Sequence, residues 1–226
     1  MIAIIPARSG SKRLPNKNSL ELNGVPLIAY SIIAAKKSKY ITRVFVNTDD
    51  LNIANIAIKY GAEVPFLRPK SLSTDTATTI DVLKHNLDWL RDNYKIIADE
   101  IILLQPTSPL RNEFHINEAI ELYNKLNPDS LVSFSDELHP IIWHKQIKED
   151  LSVIDLWDNN SEFVKNYKKT YCPNGAIFIL KRNIIEEGRT ININTKAYIM
   201  DRRSSIDIDT IEDFKYAEYI LKFNSK

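Results

Sequence analysis

Four cations lie within ten residues near the start of the chain, directly after a short apolar run at residues 2–5 that is typical of a buried strand. They are Arg8, Lys12, Arg13 and Lys17. Ligands of open α/β sheets gather outside the carboxyl ends of the strands, where backbone N–H groups and cations neutralise a polyphosphate. A solvated basic loop is the alternative, but its four charges would repel one another without an anion. The spacing therefore predicts a phosphate site on a solvent-facing loop, with Gly10 allowing the backbone to approach the ligand closely.

A second candidate site lies near the other end of the chain, where Asp207 and Asp209 alternate with Ile206 and Ile208. Residues two apart in a strand share a face, so both carboxylates would point the same way. Two carboxylates about 4 Å apart repel by about 4 kcal/mol at an effective dielectric of about 20, and Mg²⁺, which takes oxygen ligands and substrate phosphates, would relieve that cost. A structural role remains open for Asp209 alone, as the N-cap of a last helix with Glu212 completing a capping box.

A third candidate is the loop at residues 105–111, which follows the apolar run at 100–104. Its two prolines fix the loop, and its polar groups could orient a polyhydroxylated ligand. Those groups are Gln105, Thr107, Ser108 and Arg111. Taken alone, such a loop is often only a turn.

Several other function classes find no support. The chain has neither a G-x-x-x-x-G-K-[ST] nor a G-x-G-x-x-G pattern, and its four histidines show no zinc-type spacing. The formal net charge of +1 argues against a nucleic-acid partner or an anionic membrane surface. Cys172, the single cysteine, fits a reducing compartment and a small core or interface position. With no apolar run of about 18 residues and no signal-peptide pattern, we expect a cytoplasmic protein with no membrane partner.

The elements that must position these groups alternate along the chain. Apolar runs predict strands at 2–5, 43–47, 62–67, 100–104, 130–134, 175–180 and 197–200. Helical periodicity and capping residues predict helices at 26–39, 49–60, 77–94, 112–125 and 210–223. Strands separated by helices indicate βαβ units, and hence one α/β domain over residues 1–226 with a mostly parallel, Rossmann-like sheet flanked by helices. The run at 100–104 is the expected central strand.

The alternation breaks between residues 135 and 173. This insertion carries aromatic residues among polar ones, with no helical repeat: Trp143, Trp157, Phe163, Tyr167 and Tyr171. Exposed aromatics suit a subunit interface, so we expect a homodimerisation element that crosses the sheet edge. The alternative is that the insertion covers the active-site cleft of a monomer.

The chain resembles the acylneuraminate cytidylyltransferases, which are the CMP-sialic acid synthetases and their relatives, in blocks that follow the same order. The blocks are residues 4–18, 67–69, 74–77, 104–111, 173–178 and 205–209. The resemblance implies a homodimeric, Mg²⁺-dependent enzyme of the nucleotide-diphospho-sugar transferase type. Its reaction would join CTP to a nine-carbon 2-keto sugar acid (a nonulosonate), giving the CMP-sugar and pyrophosphate.

The resemblance also implies roles for individual residues. The CTP site would comprise Ala7, Arg8, Ser11, Lys12, Lys17, Asn18, Arg68 and Thr79, with Asn18, Arg68 and Thr79 contacting cytidine. Gln105 and Phe178 would bind the sugar, and Asp207 and Asp209 would bind Mg²⁺. Arg8, Lys17 and Asp207 would be the catalytic residues.

Two departures from the family pattern leave the acceptor open. Cys172 stands before Pro173 where an Arg is expected, and the segment 139–142 lacks the usual Lys. The candidates to bind the sugar carboxylate instead are Lys145, Lys165, Lys168 and Lys169. N-acetylneuraminate, legionaminate and pseudaminate therefore remain possible acceptors.

Two other functions stay open on the same fold. Residues 13–17 also resemble the loop of the 3-deoxy-manno-octulosonate cytidylyltransferases, although those carry an Asp-containing loop after the central strand, which 105–111 lacks. A non-catalytic regulator that binds a nucleotide or sugar is the other alternative.

Overall fold

A six-stranded sheet forms the centre of the protein in the computed structural model, which describes residues 1–137, 139–158 and 161–224. The strands are β1 (Ile2–Pro6), β2 (Glu21–Leu22), β3 (Val25–Pro26), β4 (Arg43–Asn47), β5 (Glu100–Leu103), β6 (Ser130–Asp136), β7 (Lys145–Ile147), β8 (Val153–Asp155), β9 (Tyr171–Lys181) and β10 (Thr195–Ile199). The helices are α1 (Leu27–Lys37), α2 (Leu51–Lys59), α3 (Thr79–Tyr94), α4 (Glu113–Leu126), α5 (Glu162–Lys165), α6 (Arg182–Glu186) and α7 (Ile211–Asn224).

The sheet is mostly parallel, which confirms the predicted fold class. Its order is β10-β6-β9-β5-β1-β4, with β1 parallel to both β4 and β5, and β6 parallel to β10. β9 alone runs antiparallel to its neighbours β5 and β6 within the described residues. A parallel neighbour would need a long crossover, usually a helix, whereas the insertion returns the chain directly beside β6.

Apolar residues pack on both faces of the sheet. In β1, Ala3 and Ile5 join the core under α1, α2 and α4, while Ile2 and Ile4 join the core under α3 and α6. Burial on both faces explains why such strands are continuously apolar. A third apolar cluster lies under α7 and includes Ile208, which anchors the segment carrying the two aspartates.

Two predicted strands are wrong. The segment 62–67 makes only two isolated bridges, Phe45 with Glu63 and Thr48 with Leu67, because Pro65 has no N–H for a ladder. The alternation at 205–209 also suggests a strand, but Ser205 lies in a turn, and residues 206–209 have no regular secondary structure and do not pair in the sheet. Elsewhere the predicted elements exist with shifted ends: β9 begins at Tyr171 rather than 175, and Pro26 precedes α1 as its N-cap.

The insertion contains a small antiparallel hairpin of β7 and β8, followed by α5. Residues 138, 159 and 160 of the predicted insertion lie outside the described residues. Large apolar side chains of the hairpin region are exposed, including Trp143 (65%), Ile147 (58%) and Val153 (64%). Trp157 packs against Phe163 with ring centroids 5.0 Å apart. Across the part of the chain that the structure describes, the helices are too short or too polar to span a bilayer.

Candidate functional site

The basic loop opens onto a cavity of about 520 Å³ beyond the carboxyl ends of β1 and β5. Most of the predicted site residues line it: Arg8, Ser11, Lys12, Lys17, Asn18, Arg68, Thr79, Gln105 and Asp209. Ala7, Phe178 and Asp207 are not among its lining residues. Ala7 is buried and donates its N–H to the Asn47 carbonyl (2.9 Å). The cations near the start and the acidic segment near the end are thus brought together, while the roles assigned to them stay predictions.

Two carboxylates neutralise the basic loop. Asp75 pairs with Arg8 (3.0 Å) and Lys12 (2.5 Å), and these two hydrogen-bond donors lower the pKa of Asp75. Asp209 pairs in the same way with Lys17 (3.0 Å) and Arg13 (2.8 Å). These cations therefore do not require an external anion, contrary to our expectation, because Asp75 and Asp209 supply the counter-charges. Three of the four cations are substantially exposed, so their ion pairs are weak enough for a polyphosphate to replace.

Lys17 does not face solvent as we expected. Its residue exposure is 8%, and its amine donates to the Ile208 carbonyl (2.6 Å) and to Asp209 Oδ1 (3.0 Å). Lys17 thus ties the basic loop to the segment before α7. Beside it, Asn18 donates from Nδ2 to the Arg8 carbonyl (3.0 Å), while its Oδ1 is buried without a partner among the described residues. That oxygen is an acceptor available to a ligand in the cavity.

Asp49 holds the start of the basic loop, a role that the sequence does not reveal. It accepts hydrogen bonds from Ser9 N (2.9 Å) and Ser9 Oγ (2.8 Å). Desolvation acts to raise the pKa of Asp49, but these hydrogen bonds outweigh it and the pKa is lowered. We expected both Asp49 and Asp50 at the start of a helix; Asp50 alone is the N-cap of α2, accepting from Ile53 N (2.8 Å).

Arg68 is a buried cation at the cavity wall. Asn47 fixes it through two hydrogen bonds, from Nε to Oδ1 (2.5 Å) and from Nη2 to the backbone carbonyl (2.6 Å). Burial lowers the pKa of Arg68 to about 10. Thr79 begins α3 at the same wall, directly after Thr78, whose capping box with Asp81 satisfies the first turn of the helix. Asn47 is a second positioning residue that sequence reasoning missed.

The segment at 205–209 keeps the predicted alternation without being a strand. Ile208 is fully buried and donates its N–H to the Thr107 carbonyl (2.8 Å), so the residues on either side point away from the core. Asp209 is not the helix N-cap: Thr210 and Asp213 exchange the capping-box hydrogen bonds instead (2.8 and 3.3 Å). The carboxylate of Asp209 is therefore free to pair with the basic loop.

The environment of Asp207 suits a cation. The pKa of Asp207 is raised, chiefly because surrounding protein atoms displace water from its carboxyl group, and the charge of Asp209 adds to the rise. The residue as a whole nevertheless remains exposed. Among the described residues Asp207 makes no ion pair, and no cluster of three or more potential metal-binding side chains occurs there. A crowded carboxylate pair fits Mg²⁺, which commonly takes one or two protein carboxylates and completes its shell with water and substrate oxygens.

Gln105 and Asp207 approach each other across Gly175. This glycine has φ +74°, and a Cβ there would lie 2.8 Å from Gln105 Oε1 and 3.9 Å from Asp207 Oδ2. Phe178, further along β9, is partly buried against the core under α3. Only a residue without a side chain fits where β9 meets these two groups.

Two of the four polar residues predicted to orient a ligand in the loop at 105–111 are buried instead. Ser108 is fully buried, and Arg111 donates from Nη2 to Ser31 Oγ (2.5 Å) and to the Gln105 carbonyl (3.2 Å). Burial lowers the pKa of Arg111 to about 9. Arg111 therefore supports the loop from within, whereas Gln105 and Thr107 line the cavity. Cys172, expected in the core or an interface, is exposed in this chain.

Comparisons with known proteins identify the family of the chain. The family model described as Cytidylyltransferase matches residues 2–224. The N-acylneuraminate cytidylyltransferase of Escherichia coli O18:K1:H7 is 42% identical over 220 residues, which is 96% of this chain but 51% of that protein. The CMP-N,N'-diacetyllegionaminic acid synthase of Legionella pneumophila is 37% identical over 232 residues, covering 100% of this chain and 98% of that protein.

A solved structure shares the fold. The CMP:2-keto-3-deoxy-manno-octonic acid synthetase complexed with CTP has a TM-score of 0.72 and 16% sequence identity, covering 99% of this chain and 98% of its own. At this identity the likeness concerns the fold alone. The chain also spans only about half the length of the E. coli relative, so the activity of that larger protein does not transfer directly.

Proposed function

Because the chain belongs to the cytidylyltransferase family, we propose that it transfers CMP from CTP to a nonulosonate and releases pyrophosphate. The main support for this proposal is that the cations of the basic loop and the carboxylate of Asp209 line one cavity. The similarity to an N-acylneuraminate cytidylyltransferase and to a CMP-N,N'-diacetyllegionaminic acid synthase supports this proposal.

The residues present can perform this transfer by positioning and charge stabilisation. The anomeric hydroxyl of the sugar attacks the α-phosphorus of CTP, the bond to the β-phosphate breaks, and the hydroxyl proton passes to a base or to water. Arg8, Lys12 and Lys17 take up charge on the phosphates and the leaving pyrophosphate. Arg68 and Asn18, with its open Oδ1, are placed to bind the cytidine. Gln105 orients the sugar.

Asp207 and Asp209 would hold the Mg²⁺ that the family resemblance implies. When bound, the ion would supply positive charge to phosphate oxygens and lower the pKa of the attacking hydroxyl. In the chain itself, Lys17 donates to Asp209, which lines the cavity, and Thr107 donates to Asp207, which lies two residues earlier on the same segment. Catalytic roles for Arg8, Lys17 and Asp207 follow from this arrangement as part of the proposal.

The acceptor is proposed to be a nonulosonate with a carboxylate that needs a cation from the insertion. Of the candidate lysines, Lys145 pairs with Asp155 and Lys169 pairs with Asp136 (2.7 Å). None of the cavity's lining residues comes from the described part of the insertion. The candidate lysines of this chain's own insertion are therefore not among the cavity's lining residues, and we propose a second copy of the chain as the source of this cation.

We propose that this second copy is supplied by a homodimer that uses the insertion. Trp143, Ile147 and Val153 are more than half exposed, and apolar residues clustered on one hairpin mark an interaction surface. The alternative, in which the insertion covers the cleft of a monomer, has no support from the residues that line the cavity. The domain assignment is proposed accordingly: one nucleotidyltransferase domain with a dimerisation insertion.

A pyrophosphate-release assay tests the function. The purified protein is given each of the four nucleoside triphosphates with Mg²⁺ and a panel containing N-acetylneuraminate, legionaminate, pseudaminate and 3-deoxy-manno-octulosonate. We expect release with CTP and a nine-carbon acid. Release only with the eight-carbon acid would favour the octulosonate alternative, and no release with any pair would favour the non-catalytic regulator.

A further inference from the structure

β9 bulges where it passes the candidate site. Val132 of β6 pairs with Phe178, and Phe134 pairs with Pro173, so Ser133 alone faces the four residues at 174–177. Bulges are common beside active sites because they re-aim groups that a regular strand could not present. Here the bulge carries Gly175, the residue that lies against both Gln105 and Asp207.

A chain of hydrogen bonds fills the bulge and continues out of the sheet. Ser133 Oγ accepts from Ile177 N (2.8 Å) and donates to Asn174 Oδ1 (2.6 Å), which also accepts from Ala176 N (3.1 Å). Asn174 Nδ2 donates to Ser205 Oγ (2.8 Å), and Ser205 Oγ donates to the Asp201 carbonyl (2.6 Å). The Ser133 hydroxyl also lies 3.1 Å from the Ile177 carbonyl, a second acceptor for its proton. The Ala176 N–H can only donate, so its contact with Oδ1 fixes the orientation of the Asn174 amide.

The two ends of this series of hydrogen bonds lie in different parts of the protein. Asn174 is 7% exposed and belongs to the sheet interior, whereas Ser205 lies at the end of a turn, two residues before Asp207. Beyond Asp207, the backbone of Ile208 is fixed by Thr107 and by Lys17. Asp207 therefore lies between two fixed points of the backbone, Ser205 and Ile208. Asn174 holds the first of these through its hydrogen bond to Ser205, and so connects the segment to the bulge.

We propose that Asn174 is a positioning residue for the proposed transfer reaction: through Ser205 it locks the bulge of β9 to the segment 201–209 and so fixes the separation of Gln105 and Asp207. The inference rests on the proposed function. Asn174 is not among the residues that line the cavity, so it acts through these two groups rather than on a substrate. Misplacement by about 1 Å of a group that orients reactants can cost about 100-fold in rate.

Kinetics of matched variants test the proposal. Asn174→Ala and Ser205→Ala should each lower kcat about tenfold or more and change KM for CTP less than about twofold. The double variant should have a kcat no lower than that of the less active single variant, because both substitutions break the same series of hydrogen bonds. Ser205→Thr, which keeps the hydroxyl, should retain most of kcat. Values of kcat within twofold for both single variants, or additive losses, would overturn the proposal.

Hydrogen exchange separates this proposal from the proposed function. If the unmodified protein releases no pyrophosphate with any acid, the proposed function fails, while the attachment can still be measured. Ser205→Ala should then accelerate exchange of the backbone amides at 205–209, including Ile208 N–H, and leave those of α3 unchanged. Unchanged exchange at 205–209 would show that Asn174 does not hold this segment.

Discussion

Two cations of the basic loop share one carboxylate but differ in burial. Lys17 and Arg13 both pair with Asp209, yet the side chain of Lys17 is 10% exposed and that of Arg13 is 69% exposed. Lys17 also donates to the Ile208 carbonyl, which has no access to bulk water there. Replacing Lys17 leaves buried acceptors unsatisfied, whereas replacing Arg13 does not.

Lys17→Ala should therefore lose both activity and stability. We expect the free energy of unfolding to fall by about 1–3 kcal/mol, the usual cost of a buried polar group left unpaired, and turnover to fall about 100-fold or more with the lost phosphate donor. Arg13→Ala, the matched control, should change the free energy of unfolding by less than about 0.5 kcal/mol. Urea unfolding and pyrophosphate release measure the two quantities. Near-normal turnover by Lys17→Ala would remove this residue from the mechanism.

Single residues were predictable where their type alone carries the information. The density of cations at 8–17 and the spacing of Asp207 and Asp209 predict the two groups that meet at the cavity. The partners of these groups were not predictable, because Asp75, Asn47 and Asp49 are ordinary polar residues until the fold brings them near the loop. The burial of Lys17 likewise depends on an acceptor 191 residues away.

Among the helices, α4 contains a pH-sensitive cap. Asn112 Oδ1 accepts from His115 N (3.2 Å), and His115 Nδ1 accepts in return from Asn112 N (3.2 Å), which requires that nitrogen to be unprotonated. Burial lowers the pKa of His115, and Arg111 adds to this effect against the opposing charges of Asp201 and Glu118. The neutral ring thus belongs to the folded state.

The stability of the protein should accordingly depend on His115. Because its folded pKa is depressed, its contribution is complete above the unfolded value of about 6.5 and is lost as the pH falls through the lower folded pKa. His115→Gln keeps a capping acceptor that does not titrate, so it should flatten the decline of unfolding free energy between about pH 7 and pH 5. His144→Gln, in the exposed insertion, is the control. A decline as steep in His115→Gln as in the unmodified protein would contradict the assignment.

The loop before α3 should compete with the nucleotide. Asp75 occupies Arg8 and Lys12, and Thr74 accepts from Arg8 (3.2 Å), so a triphosphate must displace these contacts. Asp75→Asn should lower KM for CTP a few-fold while leaving stability nearly unchanged, since exposed ion pairs contribute little. Asp92→Asn, which removes a similar exposed pair with Arg91, should leave KM unchanged. A raised KM in Asp75→Asn would instead make Asp75 a ligand contact.

Periodicity predicted elements well where burial alone decides them. The apolar runs of β1, β4 and β5 and the spacing in α3 are present as expected. The strand predictions at 62–67 and 205–209 were wrong because a strand also needs a neighbour to pair with. Alternation indicates only which side chains are buried. The capping box was misplaced by one residue, at Asp209 instead of Thr210, because both residue types are suitable N-caps.

For the molecule as a whole, the proposed role of the insertion in dimerisation can be tested directly. Ile147 and Val153 are cross-strand partners on the exposed hairpin, and a charge on each would block its burial against another copy. We expect light scattering to show a dimer for the unmodified protein and a folded monomer for Ile147→Asp/Val153→Asp. Ile58→Asp, on the exposed face of α2, is the control and should remain dimeric. A monomeric unmodified protein would refute the interface.

The convergence of the two chain ends is the whole-molecule property that composition and spacing could not supply. Nothing local indicates that Lys17 will meet Asp209, 192 residues later, and the expectation came from the family resemblance. The antiparallel course of β9 was missed as well, because its apolar run at 175–180 has the same composition as a parallel strand.

The position of β9 has a consequence for biosynthesis. β9 lies between β5 and β6, and β10, the other neighbour of β6, follows β9 in the chain, so β6 stays unpaired until residues 171–181 have left the ribosome. The nascent chain meanwhile exposes one unpaired edge of β5, both edges of β6 and a lysine whose acceptors are not yet made, and exposed strand edges favour aggregation or the recruitment of chaperones. Translation arrest before residue 171 would therefore yield an incomplete, aggregation-prone sheet rather than a partly active protein.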